Sequence, residues 1–428
     1  MISSATGRYR DALRRRDFTL MLSASLIDRI GSWAYNVVLI VYFYQRTGST
    51  AWIAAATAAG WIPRIVFSAY AGVLANRFER TRTLLVSTLA ALVLMAAIAL
   101  IMAVSGPLVV LLLLAAATAA VGTVYLPVSG ALIPATVPET DLDAANGLFG
   151  MCENLVVIVG PAIGGLLLLA GRPVWGIGFN MATYGVAAAL VLRMRVRSSG
   201  PAADGRVRLA RHIVEGAQAL RHHPRPGLVV AFCALGTAVY GASTVLYVPM
   251  SQRFGTGAEG YSYLLTAAAI GGVLGAFGAG RLSAAFPLPA VIGGGMLALA
   301  LPFAATTLIT TPAAGFALQV ISGGGMAVID VLALATLQRD LPRDLLSRVL
   351  GILESASIAA AMAASFAVAG LIRWVGLSGA LLIVGFGFSA LALAGLRPLA
   401  LSGSRRAPAS RPAQAAAQPA VAMAASAL

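Results

Sequence analysis

Apolar residues run through the chain in long stretches, and polar residues fall mainly between them. A helix needs roughly 20 apolar residues to cross a bilayer. Twelve stretches fit that length: approximately 18–44, 51–75, 83–105, 107–129, 145–170, 174–192, 227–250, 260–280, 288–309, 313–337, 347–372 and 376–396. The pattern predicts an all-α membrane protein with twelve transmembrane helices. Several stretches are broken by glycine or proline, as in "GWIPR" and "VGPAIGG". A bilayer tolerates such breaks where neighbouring helices re-satisfy the backbone.

The polar remainder fixes an orientation. All 30 basic residues are arginine. Placed on the twelve-helix pattern, 24 fall in segments on one side and only Arg46, Arg172, Arg253 and Arg373 on the other; Arg29 and Arg64 lie within helices. Arginine-rich loops stay on the cytoplasmic side. The asymmetry therefore predicts an even number of spans with both termini cytoplasmic.

The longest gap, 193–226, follows the sixth stretch and divides the chain into two six-helix halves. The domain reading is a cytoplasmic segment 1–17, a bundle 18–192, a linker 193–226, a bundle 227–397 and a disordered tail 398–428. In the linker, Leu209, Ile213, Ala217 and Leu220 recur at near-helical spacing among arginines. They predict an amphipathic helix on the inner membrane surface, with a plain solvated linker as the alternative. All three histidines, His212, His222 and His223, lie here and none within a span. Residues 1–17 are polar and basic, with no signal-peptide pattern. The tail is rich in Ala, Pro, Ser, Arg and Gln without a large apolar period.

Composition agrees with a membrane setting. The chain of 428 residues is 59% hydrophobic and 11% charged, with a mean hydropathy of +0.87; soluble domains are about a quarter charged. The net charge of +15 belongs to loops between apolar runs, so nucleic-acid binding is excluded. Cys152 and Cys233 lie in apolar runs and read as small core residues, with no disulfide or metal site. No phosphate-binding loop appears, which excludes ATP drive. A membrane enzyme would need a polar catalytic cluster, and no nucleophile–base pair or metal set is visible. No cofactor is expected.

The halves carry an internal repeat. "VPETDLDAANGLFGMCEN" begins at Val137 and "LPRDLLSRVLGILESASI" at Leu341, an offset of 204 residues. Gly147 and Gly351 align, and each segment then places one acid in its helix, Glu153 and Glu354. These differ by three aligned positions, about one helical turn. Parallel repeats of this kind build one class of transporters.

Ionisable residues inside a bilayer are costly and tend to be functional. The set comprises Asp28, Arg29, Arg64, Glu153, Asp330 and Glu354. For Asp28, Arg29 and Arg64 two readings stand: a charge cluster locking the first two helices, or a cavity and coupling site. The coupling reading makes Asp28 or Glu153 the proton carrier, with Arg64 its modulator. Asp330 and Glu354 read either as an inner gate or as acids satisfied by helix ends and loop arginines. Tyr35, Asn36, Trp61 and Tyr125 are cavity candidates for an amphipathic ligand, or else packing and interface anchors.

"GVLANRFERTRTLL" (72–85) and the two-half architecture together resemble the major facilitator superfamily. In that family's loop, Gly-x-x-x-Asp-Arg-x-Gly-Arg-Arg joins helices two and three. Gly72 and Arg77 match, and Arg80 takes a later basic position. Asn76 replaces the aspartate and Glu79 the second glycine. The resemblance implies an inner latch, weakened here because Asn76 lacks the charge that favours a helix N-terminus. "GLFGMCENLVVIVGPAIGG" resembles the helix-five motif of exporters through Gly147, Gly160, Pro161, Gly164 and Gly165, with Val156 replacing one glycine; generic helix packing is the alternative. "HIVEGAQALRHHP", "LIPATVPETDLDAANGL" and "LQRDLPRDLLSRVLGILES" resemble the macrolide-efflux and enterobactin-exporter branch. The likeness covers residues 10–400.

The resemblance implies the major facilitator fold and alternating-access export of a small amphipathic compound across the plasma membrane by a monomer coupled to protons. The helix-four segment "LLLLAAATAAVGTVYLPVSG" lacks the arginine of the family's proton antiporters, so the family's usual coupling route is missing there. Uptake, lipid flipping and a non-transporting scaffold are the alternatives.

Overall fold

The computed structural model describes residues 2–170, 173–198, 220 and 224–403. The described residues form helices and no β-strand. The chain makes two compact units, Met1–Val207 and Arg208–Leu428. The predicted amphipathic helix, the three histidines and most of the predicted tail lie outside the described residues.

In the first unit, α1 (Ile2–Arg14) is followed by α2 (Arg16–Thr47), α3 (Thr50–Arg77), α4 (Arg80–Ala103), α5 (Leu108–Gly122), α6 (Tyr125–Thr136), α7 (Leu142–Leu169) and α8 (Val174–Leu192). The second unit contains α9 (Pro224–Arg253), α10 (Tyr261–Ala285), α11 (Leu288–Ala305), α12 (Pro312–Asp340), α13 (Arg343–Leu382) and α14 (Phe388–Gly403). Ten described segments are long and apolar enough to cross a membrane, so the protein is a multi-pass membrane protein.

Some boundaries differ from the sequence expectation, and the last helix, for one, continues to Gly403, into the expected disordered tail. The fourth apolar stretch was expected to end near 129, but helix continues to Thr136 after a break at 123–124. Pro127 explains the break: without an N–H it cannot bond the Thr123 carbonyl, and its ring crowds that turn. The last two expected helices run on as one 49-residue apolar segment, Arg348–Leu396. Gly376 interrupts it with φ 72° and ψ 176°, a conformation that glycine adopts without a Cβ clash.

The first unit's core gathers Phe18, Met21, Leu84, Leu132 and Ile133, all essentially inaccessible. In the second unit, α10 and α12 approach through glycine: a Cβ on Gly271, Gly275 or Gly323 would strike the facing backbone. Small residues permit such contact where lipid offers no hydrophobic gradient between helices.

The strap after α8 is stitched back onto its own unit. The Asp17 carboxylate accepts the Arg195 and Val196 amides at 3.2 and 2.9 Å. Thr81 Oγ1 donates to the Val196 carbonyl at 2.7 Å. The Arg80 amide donates to the Ser198 carbonyl at 2.9 Å.

Candidate functional site

The charged residues expected within the first two helices and helix five separate into a group that meets and one that does not. Arg29 on α2 reaches Glu153 on α7, with Nη2 to Oε2 at 2.9 Å and Nε to Oε2 at 3.1 Å. The Glu153 side chain is 6% exposed and that of Arg29 18%. Asp28 is buried one position before Arg29. Its nearest hydrogen-bond donor is Ser32, whose hydroxyl lies 3.5 Å from Oδ1. Ser32 also shares a 3.1 Å hydrogen bond with the Tyr184 hydroxyl on α8. One turn below, Tyr125 donates to Ser25 at 3.1 Å.

The exporter-like glycines explain how the pair forms. Gly160 and Gly164 follow Glu153 by seven and eleven residues, which places all three on one face of α7. A Cβ on Gly160 would collide with Trp33, and one on Gly164 would come to 2.8 Å from the Ala34 carbonyl and 3.0 Å from Val37. These glycines bring α7 against α2 over the two turns beyond the ion pair. Gly31 does the same for α8, where Asn180 and Thr183 fill the space a Cβ would take. Gly147 lies nearer the start of α7, where an added Cβ would touch Tyr9 of α1 at 3.4 Å. Pro161 and Gly165 are buried in α7.

Among α2, α4, α5, α6 and α8 is a cavity of about 50 Å³ lined by Asp28, Arg29, Ser32, Thr88, Tyr125 and Tyr184 among others. That exceeds the roughly 10–15 Å³ that one water requires. It is too small for a drug-sized ligand, whose sites measure about 300–1,000 Å³. It therefore suits water and protons.

Of the other expected residues, Tyr125 lines this cavity. Tyr35 is buried, and its hydroxyl has no hydrogen-bond partner among the described residues. Asn36 is exposed, and Trp61 and Arg64 are half-buried on α3 with interactions of their own. Asp330 is half-buried on α12 and Glu354 exposed on α13. Among the described residues neither joins an ion pair. Gly72, Asn76 and Arg77 belong to the last turns of α3 rather than to the loop expected there, and the side chains of Asn76 and Arg77 lie outside the described set. Glu79 pairs with Arg197 at 2.9 Å. Arg80 donates to the Ala131 carbonyl and to Ser198 Oγ, both at 3.0 Å.

Sequence reasoning missed Ser32 and Tyr184. Serine and tyrosine are common in membrane helices, so neither stands out alone. The available signal was spacing: Ser32 lies one turn after Asp28, and Asn180 and Tyr184 sit one turn apart in an otherwise apolar helix.

The profile of the Major Facilitator Superfamily matches residues 21–356, so the chain belongs to that family. The putative bacilysin exporter BacE of Bacillus subtilis (strain 168) is 26% identical over 213 residues, 50% of this chain and 53% of that protein. The multidrug efflux pump Tap of Mycolicibacterium fortuitum is 26% identical over 276 residues, 62% of this chain and 67% of that pump. The match thus spans about half of one relative and two thirds of the other. Among solved structures, the nucleoside transporter NupG superposes with a TM-score of 0.72 at 11% identity, covering 90% of this chain and 99% of NupG. A bacterial homologue of the human lysosomal transporter Spinster gives 0.64 at 17% identity, covering 91% and 96%. At these identities the likeness concerns the fold.

Proposed function

We propose that the protein is a secondary transporter that exports a small amphipathic organic compound across the plasma membrane, exchanging it for protons by alternating access. One observation carries the coupling: the buried cluster holds two acids and one arginine. Arg29 neutralises Glu153 at 2.9 Å, and Asp28 remains as one uncompensated negative charge. An acid at the centre of a membrane helix costs about 2.5–3.5 kcal/mol on insertion scales. A single proton on Asp28 removes that charge. A metal cation would meet the Arg29 guanidinium in the same cavity, so a proton is the better fit. Arg29 takes the modulating role that the sequence reading gave to Arg64.

Export is supported by the two relatives above, an exporter and an efflux pump by name. Family membership favours a transporter over an enzyme. Twelve spans follow if the 49-residue segment divides at Gly376 and α3, 28 residues long, adds one to the ten. An even count with inner arginine loops keeps both termini cytoplasmic.

The test is accumulation of lipophilic antibiotics and dyes in an efflux-deficient bacterium expressing the chain, with and without a protonophore. Lower accumulation that the protonophore abolishes supports proton-driven export. Asp28→Asn should abolish it as well. Raised accumulation would instead indicate uptake and overturn the direction.

A further inference from the structure

We propose that Ser32 and Tyr184, fed by water beside Tyr35, form a proton path to Asp28 along the α2–α8 seam. The proposal rests on Asp28 as the proton carrier.

Ser25, Asp28, Ser32 and Tyr35 succeed one another at steps of three, four and three residues. They occupy one face of α2 over about 15 Å of helix rise. α8 answers with Asn180, Thr183 and Tyr184, held close because Gly31 leaves room for Asn180 and Thr183. Ser32 is the junction, with its Oγ 3.5 Å from Asp28 Oδ1 and 3.1 Å from the Tyr184 hydroxyl. In the latter bond either oxygen can donate, so the link can be reversed by rotating hydroxyls.

Beyond this junction two buried groups lack partners among the described residues: the Tyr35 hydroxyl and Asn180 Nδ2. Thr183 Oγ1 donates to the Asn180 carbonyl and to Oδ1 at 2.8 and 3.2 Å. That reaches the acceptor end of the Asn180 amide, and the same side chain also interacts with the Tyr184 hydroxyl. Buried polar groups left bare cost about 1–3 kcal/mol, and water commonly satisfies them. Both lie within one turn of Ser32 or Tyr184 along the helices. The cavity at Asp28 supplies water space at the other end.

The transfer balances without any redox partner. Tyr184 accepts a proton from water on the Tyr35 side and passes its own hydrogen to Ser32 Oγ. Ser32 passes its hydrogen to Asp28 Oδ1, where the O–H bond forms. Both hydroxyls end as they began. The ionisable groups around Asp28 are Arg29 on its own helix, Glu153 from α7, Tyr125 from α6 and Tyr184 from α8. From α4 and α5 the cavity receives Ser87, Thr88, Ala91, Val121 and Gly122, none of which titrates. Tyr125 donates to Ser25, so the hydroxyl bonded to Ser32 is that of Tyr184.

The test is time-resolved infrared spectroscopy of the full chain in phosphatidylglycerol/phosphatidylethanolamine nanodiscs after a pH jump, which needs no substrate. The protonated carboxyl band assigned by its loss in Asp28→Asn is followed in time. Tyr184→Phe should keep its amplitude and titration midpoint, and Ser32→Ala its amplitude, while each slows its appearance about tenfold or more. Ser32→Thr, which retains a hydroxyl, should restore the rate. Wild-type rates in Tyr184→Phe and Ser32→Ala, or a loss of amplitude together with rate, would overturn the path and leave Asp28 as carrier. Absence of any band that Asp28→Asn removes would overturn the carrier itself, and the path with it.

Discussion

Arg29 and Glu153 are 124 positions apart in the chain, yet their charged groups meet at 2.9 Å across the α2–α7 seam. A buried pair of this kind is a weak source of net stability, because desolvating both ions offsets their attraction. Breaking it is a different matter, since one charge is left uncompensated at a cost of about 3–5 kcal/mol. Arg29→Met alone should therefore lower the thermal midpoint of the purified protein sharply. The double variant Arg29→Met/Glu153→Met should recover most of the loss. A double variant no more stable than the single one would show that the pair is not the seam's electrostatic lock.

Glu153→Gln tests the charge count. It leaves Arg29 facing Asp28 as its only nearby acid, and the cluster is then neutral without any proton. Gradient-driven efflux should fall at least about tenfold, while binding of the same dye to the purified protein stays within about threefold. If Glu153→Gln transports like the wild type, Asp28 does not depend on Arg29 being occupied.

Gly160 and Gly150 form a matched comparison. A Cβ on Gly160 would strike Trp33, whereas Gly150, ten residues earlier on the same helix, has nothing within 4 Å. Gly160→Ala should cost about 1–3 kcal/mol through overpacking. Gly150→Ala should be neutral or stabilise by about 0.5–1 kcal/mol, because glycine is a poor helix former. Thermal unfolding of the two variants in one detergent decides it, and equal midpoints would refute the close α2–α7 approach.

Much of this architecture was legible in the sequence for a physical reason. Apolar runs long enough to span a bilayer have few alternatives, and the described helices overlie every one of them. The breaks were harder. Pro127 and Gly376 act through single backbone groups inside apolar runs, where composition hardly changes. The cost of burying charge likewise singled out Asp28, Arg29 and Glu153. Their pairing was not legible, because nothing in the spacing of Arg29 and Glu153 shows that α7 lies on α2. The glycines at 160 and 164 held that information, but only as permission for close approach to an unspecified neighbour. Tyr184 carried only a spacing signal, one turn from Asn180, until α8 was seen against Ser32.

The strap after α8 depends on Asp17. Its carboxylate accepts two backbone amides, Arg195 and Val196, and hydrogen bonds to charged groups contribute about 1.5–3 kcal/mol each. Asp17→Ala should raise hydrogen exchange at those two amides by about tenfold or more. Exchange within the buried turns of α7 should not change. Unaltered protection at Val196 would mean that Glu79, Arg80 and Thr81 hold the strap without Asp17.

Arg46 and Arg253 end the first membrane helix of each unit, and each reaches the end of that unit's third. Arg46 Nη2 lies 3.4 Å from the Ser105 carbonyl, beyond α4. Arg253 Nη2 lies 2.7 Å from the Thr307 carbonyl, beyond α11, and its Nη1 donates to Ser378 at 3.1 Å. The two contacts join corresponding helices of the two units but differ in geometry. Arg46 is exposed, and its bonds to Ser105 and to the Tyr42 hydroxyl on its own helix are long at 3.4 and 3.3 Å, whereas Arg253 is half-buried and spans two acceptors on other elements. Arg253→Ala should cost about 1.5–3 kcal/mol and Arg46→Ala less than about 1 kcal/mol. Arg253→Lys should recover little, since a single ammonium does not reproduce the planar fork that reaches both oxygens. Thermal unfolding of the three variants distinguishes the clamps. Equal losses for Arg46→Ala and Arg253→Ala would show that the repeat, and not the local geometry, sets their strength.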